Sequence, residues 1–288
     1  MRLRPAGRAL YALGGFGAAV LQQTVLLWVF FFYAPPPGQP HPARATPGMV
    51  GLAMAASRIV DALADPLVAH WSDSLRSRWG RRRPFILVAS PLLAVCFVLL
   101  WRPPDARISI ANALYLAVTL GVFFFLYTMV LNPYTALLPE VTAGGRGRVT
   151  TTSLQAAFNL AGIGAAFVGS SWLSTRYGFS TMGFILAPIG LAALLTSGTA
   201  VRESIPTAPP QPIRATVRSV FSDPRFRVFI LAIATVWFGL SMVQLSLALI
   251  VTVLMGLPQS AVTLFLGLTV GTTVVSLPFT ARLIRRRG

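Results

Sequence analysis

The sequence predicts an all-α membrane protein of about eight transmembrane helices, and three observations carry that prediction. Hydrophobic residues make up 55 % of the chain and charged residues only 11 %, against about 25 % charged in a soluble domain. The apolar residues are gathered into runs of about 20, the length that crosses a bilayer as a helix. The 24 basic residues, all arginine, sit almost entirely in the short segments between those runs. Such a distribution is a charge bias across a membrane and argues against a nucleic-acid partner despite the net charge of +17.

Arg2, Arg4 and Arg8 precede the first run, Ala9 to Tyr33. It is longer than the roughly 7–15 apolar residues of a signal peptide and lacks a small-residue cleavage site, so it reads as a retained first span. Pro35 to Pro47 (PPPGQPHPARATP) is too rich in proline for a helix and makes a turn-rich loop. Further spans are expected near 48–70, 84–101, 109–131, 150–172, 181–201, 226–249 and 261–281. The longest polar segment, Val201 to Arg227, holds Pro206, Pro209, Pro210 and Pro212 and reads as a linker. The expected organisation is a six-helix bundle over 1–201, a linker over 202–225 and two helices of a second bundle over 226–288. GRRRP (Gly80 to Pro84) and IRRRG (Ile284 to Gly288) end spans two and eight and form a weak internal repeat, as repeated halves do. Nineteen arginines fall on one side of this arrangement and four on the other, with Arg58 inside span two. Both termini are therefore expected in the cytoplasm. The lack of lysine, with abundant alanine, glycine and proline, suggests a GC-rich genome and a bacterial inner membrane.

Span two carries the chemistry. Asp61 and Asp65 are four apart and share a helical face, and Arg58, three before Asp61, joins it. Carboxylates in a low-dielectric layer are relieved by a shared proton, a bound cation or an ion pair. Two readings follow, a coupling-cation site and a structural ion pair that locks span two to a neighbour. Gln22, Gln23, Asn132, Gln155, Asn159 and Gln244 are polar residues in spans, either sugar-binding groups of a wet cavity or interhelical glue. Gln155 and Asn159 share a face. Ala161, Ala165 and Gly169 form a small-residue ridge on span five. Cys96 has no partner. No Walker loop, zinc spacing or nucleophile triad is present, so neither an enzyme nor an organic cofactor is expected, and no metal beyond a coupling Na+.

RIVDALADP (Arg58 to Pro66), followed by RSRWGRRRPFIL (Arg76 to Leu87), resembles the glycoside–pentoside–hexuronide:cation symporters, the melibiose permease-like group of the major facilitator superfamily. YALGGFG (Tyr11 to Gly17) and NPYTALLPEVT (Asn132 to Thr142) extend the likeness. The resemblance covers essentially this whole chain but only about two-thirds of a twelve-span fold. It implies a major facilitator-type bundle in which Asp61 and Asp65 bind the coupling cation and Thr128 adds an oxygen. The family's asparagine before the second acid is replaced by Ala64, which favours proton coupling at least as much as sodium. The family's galactoside-recognising acids fall at Ala19 and Leu131, its stacking tryptophan at Thr135 and its span-five arginine at Gln155, so a melibiose-like substrate is not implied. Asp73 matches the superfamily's loop acid, expected either to gate with Arg81, Arg82 and Arg83, or the start of span three, or to be a solvated cap. Glu140 is expected to pair with Arg146, Arg148 or the span-two loop, or to form a surface salt bridge.

The expected function is symport of a sugar or glycoside with H+ or Na+ by alternating access. A sucrose-type proton symporter or a carrier of another small solute is the runner-up. A shortened, non-transporting remnant or membrane interaction partner is the alternative of a different class. One complete bundle and two helices of its partner are not expected to perform coupled transport alone; a missing half or an oligomer would have to supply the rest.

Overall fold

The computed structural model describes residues 5–39, 41–75, 77–142, 144–201, 203 and 224–258, and all of 261–272 except 263 and 270. Among the described residues there is no strand. The helices are α1 (Pro5–Tyr33), α2 (Pro47–Ser74), α3 (Arg83–Leu99), α4 (Ile110–Ala136), the single turn α5 (Leu138–Val141), α6 (Gly144–Gly164), α7 (Ser170–Tyr177), α8 (Phe179–Ala200) and α9 (Pro224–Leu249). A π-helical turn, Ala165–Gly169, joins α6 to α7, so that the two cross as one span. A second π-helical turn, Ile250–Leu254, follows α9.

Local chemistry sets the helix ends. The Thr46 side chain accepts from Met49 N at 3.3 Å and Pro47 opens α2, an N-cap followed by a residue with no N–H to lose. Ser109 likewise accepts from Asn112 N at 3.1 Å to start α4. Between α7 and α8, Gly178 reverses the chain at φ 82°, a region that a Cβ disfavours. Among the described residues, five helices are long and apolar enough to cross a membrane: α1, α4, the joined α6–α7, α8 and residues 226–243 of α9. The predicted second and third spans form helices too, but α2 carries Arg58, Asp61, Asp65 and Asp73, and α3 has 17 residues. The predicted eighth span lies largely outside the described residues, as does nearly all of the linker.

At the centre stands α1, which packs against α6 on one side and α8 on the other, while α2 packs on α4, and α3 bridges α4 and α8. Glycines bring the central helices close. A Cβ at Gly17 would lie 2.6 Å from the Gly190 carbonyl oxygen, and one at Gly162 2.6 Å from that of Phe16. This is close packing of small residues, the main source of helix association where lipid is as apolar as the side chains. The buried stripe of the fifth span is therefore Gly162, Ala166 and Ser170. The expected ridge of Ala161, Ala165 and Gly169 lies one residue out of phase, and nothing stands within 4 Å of a Cβ placed on Gly169. Both stripes consist of small residues at four-residue spacing, so spacing alone does not choose between them; the backbone of α1 does. In its most apolar stretch α1 is 72 % buried, whereas that of α9 is 0 % buried, leaving α9 with an outward apolar surface.

Candidate cation site

Three polar residues of α2 meet three residues of α4 in register. Arg58 places its guanidinium carbon 4.3 Å from the centre of the Phe124 ring and its Nη1 3.4 Å from Asp61 Oδ2. Thr128 Oγ1 donates to Asp61 Oδ1 at 3.0 Å. Asn132 Nδ2 donates to Asp65 Oδ1 at 3.2 Å and to the Asp65 carbonyl at 3.3 Å. The steps of 3 and 4 along α2 match steps of 4 and 4 along α4, as two helices running in the same direction require. Thr128 is buried at 3 % exposure. The Asp61 side chain is 28 % exposed, and Asp65 is exposed. The acid pair thus has a closed side against α4 and an open side at Asp65. Pro66 follows directly inside the helix. It has no N–H for the Ala62 carbonyl, which weakens the turn that carries both acids.

Chemically, the arrangement groups two carboxylates, a hydroxyl and a carboxamide around one helix seam. Such a set accepts a proton at a carboxylate oxygen, or offers oxygen ligands to a small hard cation. Asn132, expected in a substrate cavity, stands here beside Asp65. Of the other polar residues, the Gln244 side chain lies outside the described residues. Gln22 accepts from the Tyr127 hydroxyl at 3.0 Å, tying α1 to α4. Gln155 and Asn159 stand where α6 passes Gly15 of α1: a Cβ there would lie 3.2 Å from the Gln155 carbonyl oxygen and 3.7 Å from Asn159 Cβ. The Gln155 side chain hydrogen-bonds Tyr134 of α4, and Asn159 is exposed.

A second ionic cluster lies at the Arg-rich end. Arg82 donates to Asp73 Oδ1 from Nη2 at 2.7 Å and from Nε at 3.2 Å, and to the Ala136 carbonyl from Nη1 at 2.6 Å. Arg81 Nη1 is 3.9 Å from the same carboxylate oxygen. Arg83 Nε donates to the Gly198 carbonyl at 3.1 Å. Asp73 is thus an ion-pair partner of the arginines. The amides that begin α3, one of its expected partners, go instead to Glu203, a residue that the sequence reading passed over. The visible signal was scarcity: the chain has only seven acids, and Glu203 is one of them, three residues beyond α8. The Glu140 side chain lies outside the described residues.

Comparison with known proteins shows the family of the chain. The profile of the MFS/sugar transport protein family matches residues 10–288. The chain belongs to that family. It is 29 % identical over 205 residues to an uncharacterised symporter of Synechocystis sp., covering 67 % of this chain and 36 % of the relative. It is 31 % identical over 143 residues to an inner membrane symporter of Escherichia coli, covering 50 % and 30 %. It is 23 % identical over 242 residues to an isoprimeverose transporter of Lactiplantibacillus pentosus, covering 80 % and 49 %. The chain thus spans between about a third and a half of the length of the curated relatives it matches. It is a multi-pass membrane protein of the major facilitator type and not an enzyme.

Proposed function

We propose that this family member takes part in cation-coupled symport of a sugar or glycoside, with Asp61 and Asp65 as the site of the coupling ion, H+ or Na+. The observation that carries the reading is the seam of α2 and α4, where Thr128 and Asn132 each bond one of two aspartates on α2. Ionisable residues inside spans are costly and usually lie on ion or substrate paths. Occupation of the acid pair by a monovalent cation would cancel one of its two negative charges, and a ligand shifts a conformational equilibrium only by its differential affinity for the two states. Relieving the repulsion of like charges at a helix seam supplies such a difference. The sugar would bind near the midplane between two bundles that rock about it. Names among the relatives, symporters and an isoprimeverose transporter, support the solute class. The Arg distribution supports cytoplasmic termini.

The test reads ion binding first and flux second. Purified chain is titrated with NaCl against choline chloride at several pH values, and proton uptake is followed in parallel. Saturable Na+ heat that competes with protons is expected for a sodium site, proton uptake alone for a proton site. Asp61→Asn and Asp65→Asn should each remove the signal while insertion is kept. Sealed vesicles with an imposed gradient and a sugar panel then test symport. Ion binding or gradient-driven uptake that survives in the double mutant would move the coupling site elsewhere.

A further inference from the structure

Glu203 is the acid most withdrawn from solvent among those whose side chains are described, with a side-chain exposure of 0 %. A buried carboxylate has to be paired, and its partners are specific. Its Oε2 accepts from Arg82 N at 2.8 Å and Arg83 N at 3.3 Å. Its Oε1 lies 3.4 Å from Arg81 Nε, an ion-pair distance. The two amides belong to the start of α3, where N–H groups lack helical partners and the helix dipole favours negative charge. Gly80, at φ 100°, makes the approach feasible, since a Cβ there would overlap the Glu203 carboxylate.

The backbone gripped by Glu203 carries three arginines that reach three different helices. Arg82 binds Asp73 at the end of α2 and the Ala136 carbonyl at the end of α4, and Arg83 binds the Gly198 carbonyl near the end of α8. Glu203 itself stands just beyond α8, where the polar segment toward α9 begins. The chain leaving the six-helix bundle is therefore fastened to the α2–α3 loop.

We propose that Glu203 is a latch: it ties the start of the segment between α8 and α9 to the α2–α3 loop and positions Arg82 on Asp73 and the end of α4. A pull on that segment is then transmitted through Arg82 to α2, the helix that carries Asp61 and Asp65. That last consequence rests on the symport reading above; the latch does not.

Hydrogen exchange of the whole chain in lipid nanodiscs tests the latch without any flux measurement. Glu203→Ala is expected to raise exchange about tenfold at the Arg82 and Arg83 amides. The rise should extend to residues 70–75 of α2 and to 134–138. Glu203→Gln, which keeps an acceptor but loses the charge, should fall between Ala and the parent. Because both residues act through Arg82, the Glu203→Ala/Asp73→Asn double variant should exceed the stronger single variant by little. If Glu203→Ala fails to insert, the same cycle is run with Glu203→Gln. Exchange that rises only at Arg82 and Arg83, or that adds up in the double variant, would reduce Glu203 to a helix cap and overturn the proposal. Unchanged exchange would overturn it as well. Absence of ion binding or transport would count against the symport reading and leave the latch standing.

Discussion

Single side chains decide this molecule at two ends. At the end opposite the arginine cluster, His41 sits between the rings of Phe31 and Phe179, 5.4 Å from each centre. It lines a cavity of about 660 Å³ with Arg44, Phe32 and Ser174. Burial lowers the pKa of His41 below its ordinary 6.5, and the Arg44 charge lowers it further. A group with a depressed pKa binds fewer protons folded than unfolded, so stability rises with pH between the two values. The contribution of His41 is complete above about 6.5 and is lost as pH falls toward the depressed value. Thermal midpoints in detergent should therefore drop between pH 7 and pH 5, and His41→Gln should flatten that dependence. An equally steep profile in the variant would assign it to other groups. At the acid pair, sequence and structure differ in an instructive way. Asp61 and Asp65 were legible because i,i+4 spacing puts them on one helical face whatever the rest of the fold does. The place of Asn132 beside Asp65 was not, because it depends on how α4 is rotated against α2, and near-uniform hydrophobicity around α4 leaves that rotation undetermined. Glu203 was hidden for a different reason. Its partner Arg82 is 121 residues away in the chain, and no local pattern encodes such a pairing.

Among the elements, the helix seams through glycine are the most exacting. A side chain at Gly162 would press on the α1 backbone at Phe16 and on Ala19 Cβ, whereas one at Gly169 meets open space. Gly162→Leu should cost about 1–3 kcal/mol, the usual price of overpacking a close contact. Gly169→Leu should stay within about 0.5 kcal/mol. Urea or thermal unfolding of the two variants in the same detergent separates the cases, and equal losses would refute the observed phase of α6. Six of the predicted spans match described helices to within a few residues at their ends, because hydrophobic length is set by the bilayer and shows directly in composition. The fifth span is the exception. It runs as helix from Gly144 to Tyr177 through the π-helical turn, well before and beyond the apolar run at 150–172, because polar residues continue a helix once its backbone ladder is established.

For the whole molecule, the charge distribution makes a prediction that the fold itself leaves open. If the arginine-rich end faces the cytoplasm, a cysteine at Ser74 is reached only from inside and one at Gln39 only from outside, both in a Cys96→Ser background. Labelling of intact cells with a membrane-impermeant maleimide should mark Gln39→Cys and spare Ser74→Cys; the reverse would invert the topology. The central position of α1 carries a further consequence, for biosynthesis. α1 leaves the ribosome before the other described helices, yet its partners come late. The Tyr11 hydroxyl donates to the Tyr134 carbonyl, and Ser197 Oγ donates to the Tyr11 carbonyl from 186 residues downstream. At translation rates of about 5–20 residues per second, that second partner arrives on the order of ten to forty seconds later. Until then the Tyr11 carbonyl lacks its Ser197 partner, whereas Tyr134 and the α6 residues that pack on the α1 glycines emerge earlier. The helix that ends deepest in the bundle is thus the one that must wait longest for its neighbours.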